Sequence, residues 1–231
     1  SIGLIDYDSF YKINNPYFFT YGIDDRADFY AEDFSFDENG IKGKLYFQTE
    51  FITDFKFNNM YGLPLIKDVV GVLAFYFLHH YDLDKVKNNL QNYQMAQKRF
   101  NINKINKQIY IDDYAHHPSQ MKVNLENVKV LFPFYKYVAI YKPDRISRLE
   151  YFYKDIKDIL SKYDLAFICD FNDKTNKDLL NKFNSEKIIY LENINNIKNY
   201  LNKDYKYVFS LMSSKDLNPI KNIIIKFFNK N

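Results

Sequence analysis

Ile111-Asp112-Asp113-Tyr114-Ala115-His116-His117-Pro118-Ser119-Gln120 is the stretch on which the reading of this chain turns. An apolar run from Gln108 to Ile111 enters it, and Pro118 can open a helix as it leaves, so the polar residues collect at the carboxyl end of a strand. In open α/β sheets that edge is where ligands bind. Paired carboxylates, paired imidazoles and a helix N-terminus at one turn supply acceptors, donors and an anion-favouring dipole together. A plain capped strand-to-helix turn would use the same residue types.

Working outward toward the C-terminus, the pattern is regular. Strands are expected at Gln108 to Ile111, Tyr137 to Tyr141, Leu165 to Cys169, Lys187 to Leu191 and Tyr207 to Leu211. Between them run helix-period segments: Met121, Leu125, Val128 and Leu131; then Leu149, Ile156 and Leu160; finally Ile220, Ile223, Ile224 and Phe227. Strands alternating with helices predict an α/β fold, a doubly wound, Rossmann-like parallel sheet with right-handed crossovers. Arg145 and Arg148, spaced i, i+3 after a strand end, share a face at a helix start and offer two guanidinium forks to a carboxylate or phosphate. Solvation, or ion pairs to Asp144 and Glu150, would equally account for them.

Toward the N-terminus, alternating segments at Asp28 to Phe36, Ile41 to Phe47 and Phe51 to Phe57 surround an Asn39-Gly40 hairpin turn and predict a small, mainly antiparallel sheet. Leu65 to His80 reads as a buried, nearly all-round apolar helix, and Asp84 to Ala96 as a second one. His79 and His80 fall where they would cap the first helix. The polar Asn/Lys stretch that follows Gln97-Lys98-Arg99-Phe100 and runs through Lys107 is expected to be the domain boundary, giving a small mixed sheet with helices over 1–103 and the parallel sheet over 104–231.

Composition bounds the function. The 231 residues carry a net charge of +3, too small for this length to argue for nucleic acid or a membrane surface, and the longest apolar run, Val69 to Leu78, is about half the ~20 residues of a membrane span. Tyr and Phe are unusually common, at 19% of residues together; beside abundant Asn, Ile and Lys, this reads as nucleotide bias and not as a stacking surface. One cysteine, Cys169, sits in an apolar strand as a packed thiol and permits no intrachain disulfide, which fits a reducing, cytoplasmic setting. No glycine follows Gly71, and nowhere do the glycines have the spacing of a phosphate-binding loop. Asp112, Asp113, His116 and His117 are suitable metal-ligand types, but neighbours in sequence cannot all converge on one ion and no second cluster exists, so no resident metal is expected.

The central stretch resembles the Asp-Asp-Tyr-Gly/Ala-His-His-Pro-Thr-Glu motif of the Mur ligases, and its doubled histidine resembles the branch that joins L-alanine to UDP-N-acetylmuramate. Val138-Ala139-Ile140-Tyr141-Lys142-Pro143-Asp144-Arg145-Ile146-Ser147-Arg148 is similar to that family's Val-x-x-Phe-Gln-Pro-His-Arg-Tyr-Ser-Arg, and Lys98-Arg99-Phe100 to its Arg-Arg-Phe. The resemblance implies an ATP-dependent amide-bond ligase of peptidoglycan precursor synthesis, with residues 1–103 the latter part of its central ATP-binding domain and 104–231 its C-terminal domain. It implies nucleotide contacts for Arg99 and Asp113, and an amino-acid site made by His116, His117, Arg145 and Arg148. These residues would bind and orient; none is implied as a nucleophile. ATP, with magnesium, belongs to the complete enzyme, whose substrates would be UDP-N-acetylmuramate and L-alanine; neither ATP nor magnesium is expected bound to this chain.

Departures accompany the matches. Where the family carries Gly-x-His-Asn-x-x-Asn, this chain has Gly62-Leu63-Pro64-Leu65-Ile66-Lys67-Asp68; Gln120 stands for Glu and Asp144 for His, and Ser213-Ser214-Lys215-Asp216 takes the place of Gly-Ala-Gly-Asp. With no phosphate loop and a chain that starts at Ser1, a fragment is expected that catalyses nothing alone. A non-catalytic Mur-like binding or interaction module is the competing class.

Overall fold

The computed structural model describes residues 3–10, 18–93, 96–169 and 177–229. The chain divides into two compact units, Ser1–Met95 and Ala96–Asn231.

The first unit contains β1 (Gly3–Asp6), a single helical turn α1 (Tyr7–Phe10), β2 (Phe18–Gly22), β3 (Phe29–Asp37), β4 (Gly40–Phe47), β5 (Glu50–Asn58), α2 (Leu63–Leu78) and α3 (Leu83–Gln91). Its five strands lie in sequence order; β1, β2 and β3 pair in parallel, while β3, β4 and β5 pair antiparallel. The sheet is therefore mixed, as expected for this part of the chain: the alternating segments around the hairpin pair antiparallel, and β1 and β2 add the parallel pairs. The Asn39-Gly40 turn is where expected. Gly40 has φ 131°, and a Cβ there would lie 2.0 Å from the Phe57 carbonyl oxygen, so no side chain fits. Period-2 alternation turns Ile41, Leu45, Phe55 and Phe57 inward, onto Ile66, Val69, Val70, Leu73 and Ala74 of α2.

Two helix readings need correction. Although α2 is apolar all round, only the face at i, i+3, i+4, i+7 and i+8 is buried, because the sheet covers one side; Leu63, Val72 and Phe75 are exposed. Meanwhile α3 stops at Gln91, short of the expected Ala96, with Asn92 at its C-cap and Tyr93 exposed. His79 does cap α2: its backbone N–H and its Nδ1 both reach the Phe75 carbonyl, the ring nitrogen at 2.8 Å.

The second unit comprises β6 (Asn101–Ile105), β7 (Gln108–Asp113), α4 (Pro118–Leu131), β8 (Lys136–Tyr141), α5 (Ile146–Tyr151), α6 (Tyr153–Ser161), β9 (Leu165–Cys169), α7 (Lys177–Asn181), β10 (Ile188–Leu191), a 3-10 helix (Ile194–Tyr200), β11 (Tyr207–Met212) and α8 (Asn218–Asn229). Strand order is β10-β9-β8-β11-β7-β6; every pair is parallel except β6–β7. From β7 the chain steps through β8 and β9 to β10, then returns to insert β11 between β8 and β7. Right-handed crossovers therefore put α4 and α6 on one face and the 3-10 helix and α8 on the other; α4 packs on α6, and α8 on the 3-10 helix.

Residues 101–105 are a strand, not the expected linker. Asn101 to Ile105 pairs antiparallel with β7 through a turn at Asn106, which takes φ 56°, so the second unit begins before position 104. Edge strands carry polar side chains, which is why this one lacks an apolar alternation. The segment with Leu149, Ile156 and Leu160 on one face is also broken in two, at Phe152 (φ −99°, ψ 18°).

Candidate functional site

The insertion of β11 fixes where a ligand can sit. Connections after β7 and β8 leave toward one face and that after β11 toward the other, so a crevice opens at the carboxyl end of β11, the usual ligand position of this architecture. A cleft of about 200 Å³ lies there. It is lined by Lys98 and Asn101, by Asp112 and Asp113 at the end of β7, and by Ser213, Lys215 and Asp216 beyond β11. A larger hollow, about 540 Å³, sits at the opposite, amino end of the strands around Phe134, Lys136 and Tyr205; the ligand-binding logic of open sheets does not reach it.

Asp113 is the most constrained side chain in the cleft. Its Oδ2 accepts a 2.7 Å hydrogen bond from Asn124 Nδ2 on α4. Burial pushes the carboxyl above its ordinary value, while the Asn124 amide and the backbone N–H groups of Ala115, Phe100 and Tyr114 pull it down. Asp112 points the other way, to the Nζ of Lys221 on α8 at 2.6 Å and the Asn103 amide at 3.1 Å. Ser213 ties the strand ends together: its N–H donates to the Asp113 carbonyl and its hydroxyl to the Lys142 carbonyl.

Of the two residues in the Lys98-Arg99 pair, Lys98 lines the cleft and Arg99 is exposed beside it. Lys98 and Phe100 both take left-handed backbone, φ 56° and 53°, at a cost of about 1 kcal/mol each. Lys98 is fastened by its carbonyl, which accepts from Tyr114 N–H at 2.7 Å, and by its amine, which donates to the Lys215 carbonyl at 2.8 Å.

The histidine pair does local work. His117 is the N-cap of α4: its Nδ1 accepts from Ser119 N–H at 3.3 Å, and Gln120 Oε1 accepts from the backbone N–H of both His116 and His117 at 3.2 Å. With Nδ1 accepting, neutral His117 carries its proton on Nε2. His116 turns its Nδ1 to the Tyr114 carbonyl at 2.9 Å.

The arginines divide. Arg148 Nη1 is bound to both oxygens of Asp144, at 3.0 and 2.9 Å, one turn back, as the alternative reading of the motif has it. Arg145, the N-cap of α5, is exposed to solvent. β7 and β8, which carry the histidine and arginine motifs at their ends, are not neighbours: β11 separates them. Even so, His117 approaches the arginine-bearing segment, because α4 and α6 share a face; its ring meets Phe152, just past α5, edge to face at 4.6 Å.

In the first unit, Gly62 to Asp68 opens α2, with Pro64 in the first turn. The Lys67 amine bridges Asp6 at 2.5 Å and Asp8 at 2.6 Å, and burial raises the Asp68 carboxyl. Among the described residues no group of three or more His, Cys, Asp and Glu converges as a metal site, and no helix is long and apolar enough to cross a membrane.

Sequence reasoning picked Asp113 and missed Lys98, which lines the cleft, and Asn124, which holds the Asp113 carboxylate. Asn124 left a signal: it falls among Met121, Leu125 and Val128 on the core face of α4, where a polar residue needs a partner.

No protein-family model matches the chain. Solved structures do. The UDP-N-acetylmuramate-alanine ligase of Thermotoga maritima superposes with a TM-score of 0.73 at 19% identity, over 92% of this chain and 48% of that one. The MurF ligase of the same organism, solved with ADP, gives 0.74 at 15% identity over 100% and 54%. A folylpolyglutamate synthase, also from Thermotoga maritima, gives 0.60 at 16% identity over 84% and 45%. The chain spans about half the length of these structures. Enzymes with different named substrates share the architecture, and at such identities the likeness fixes architecture alone: this chain has the fold of the Mur ligases.

Proposed function

We propose that this chain is part of an ATP-dependent amide-bond ligase of peptidoglycan precursor synthesis, one that adds L-alanine to UDP-N-acetylmuramate in the cytoplasm. The first compact unit, Ser1–Met95, corresponds in this reading to the latter part of the central ATP-binding domain and the second, Ala96–Asn231, to the C-terminal domain. The observation that carries it is the cleft holding Asp113 at the carboxyl ends of β7 and β11, in a chain with the fold of the Mur ligases. Asp113 orients the nucleotide and Arg99 offers charge to its phosphates. His116, His117, Arg145 and Arg148 receive the amino-acid carboxylate, acting by position and charge and not as nucleophiles.

A second reading, a non-catalytic Mur-like binding module, draws on two observations. Lys67 bridges Asp6 and Asp8 in the segment that departs from the family motif, and Arg148 is already paired with Asp144. An NMR titration separates the two. Under the ligase reading, L-alanine at millimolar concentration shifts signals around 116–118 and 143–149, and ADP shifts those around 98–101 and 112–113. Silence from both ligands favours the module. The 231 residues alone are expected to release no phosphate from ATP in either case, having no phosphate loop.

A further inference from the structure

Behind Asp113 runs a line of polar groups through an otherwise apolar layer. Asn124, only 1% exposed, spends its amide nitrogen on Asp113 and its carbonyl oxygen on the Tyr163 hydroxyl at 3.2 Å. Tyr163, after α6, is likewise 1% exposed, and burial holds its phenol protonated far above its ordinary range. Ser210 of β11 is wholly buried, and its Oγ has no hydrogen-bond partner among the described residues. Buried polar atoms cost stability unless paired, so three of them in one line among core residues is a feature that packing does not explain.

The line has a direction. An ionised carboxylate can only accept, so Asn124 must present Nδ2 to it, which leaves Oδ1 to accept from Tyr163. The phenol proton, aimed at Asn124, holds the amide against flipping. Each donor polarises the next, and all of them end on the Asp113 carboxylate, one of those that line the cleft.

We propose that Asn124 and Tyr163 are positioning residues for Asp113: through this directed chain they hold its carboxylate ionised and aim its free acceptor capacity into the cleft. The inference deepens the reading of Asp113 as a nucleotide contact and rests on it for its purpose. The charged groups around Asp113 are Lys98 before β7, Asp112 with its partner Lys221 on α8, and Lys215 and Asp216 after β11; neither variant below touches any of them.

The test titrates the Asp113 carboxyl by carbon-13 NMR in Asp-labelled protein, with Asp113→Asn assigning the signal. In Asn124→Ala the Asp113 pKa is expected to rise by about one unit or more, since a charge-assisted donor is lost while burial persists. Tyr163→Phe, which removes the hydroxyl and leaves the ring in place, should move it the same way by less. Should Asn124→Ala fail to fold, Tyr163→Phe decides alone. An Asp113 that titrates in Tyr163→Phe as it does in the unaltered protein overturns the proposal, as does an unshifted value in folded Asn124→Ala. ADP titration is the separate arm. Shifted Asp113 values in a protein that binds no ADP defeat the nucleotide reading and leave the positioning chain standing.

Discussion

Lys221 Nζ lies 2.6 Å from Asp112 Oδ2, joining α8 to the end of β7 across 109 positions of sequence. The same ammonium stands 5.8 Å from the Tyr110 ring centroid. Both partners are largely shielded, at 12% and 28% side-chain exposure, and the Asn103 amide completes the carboxylate's bonding. Removing one partner strands the other, so Lys221→Ala is expected to cost about 1–2 kcal/mol, and Lys221→Arg less. Urea unfolding followed by circular dichroism checks the order of the three proteins.

His117 has a capping role that can be separated from ligand binding. Asparagine is a good N-cap without an imidazole, so His117→Asn should keep near-native stability while His117→Ala loses about 1 kcal/mol. If the imidazole also meets the amino-acid carboxylate, both variants lose the alanine-dependent NMR shifts. An unchanged stability in His117→Ala would show that the Nδ1 contact to Ser119 contributes nothing.

Asp113 makes a prediction about pH. Its folded carboxyl titrates above its ordinary value of 3.8 because burial outweighs its donors. A raised pKa means the folded state holds the proton better than the unfolded chain does, so the group's stabilising contribution is complete below the unfolded value and lost as pH rises through the folded one. Asp113→Asn cannot ionise and escapes that loss. Its melting temperature should exceed that of the unaltered protein at pH 7, and the gap should narrow toward pH 4. A lower melting temperature for the variant across that range would contradict the assignment.

Asp144 restrains Arg148. Freeing the guanidinium by Asp144→Asn should strengthen carboxylate binding by the arginine pair, since the ligand no longer competes with an internal partner one turn away. The alanine titration should saturate at lower concentration in Asp144→Asn and vanish in Arg148→Ala. Rising salt should weaken whatever binding remains.

The sequence by itself determined the kinds of element and most of their places. Period-2 and helical-period patterns are local, and they set the strands at 108–113, 136–141, 165–169, 188–191 and 207–212 within a residue or two of where the apolar alternation put them. Asn39-Gly40 fixed its hairpin because backbone sterics act within a turn. The histidine stretch likewise announced a strand end and a helix start, and Asp113 at the mouth of a cleft follows from that junction. What only the tertiary structure decided is non-local. Strand order is set by which apolar faces find each other, so nothing in the spacing of β7 and β8 revealed that β11 comes between them. Residues 101–105 became an edge strand through hydrogen bonds to β7 that their own polar side chains do not advertise. The bond from Asn124 to Tyr163 spans 39 positions and exists because α4 packs on α6. A side chain's partner depends on the fold around it, which is why the residue types of a site were legible here while the pairing of Arg148 with Asp144, over competing partners, was decided only by packing.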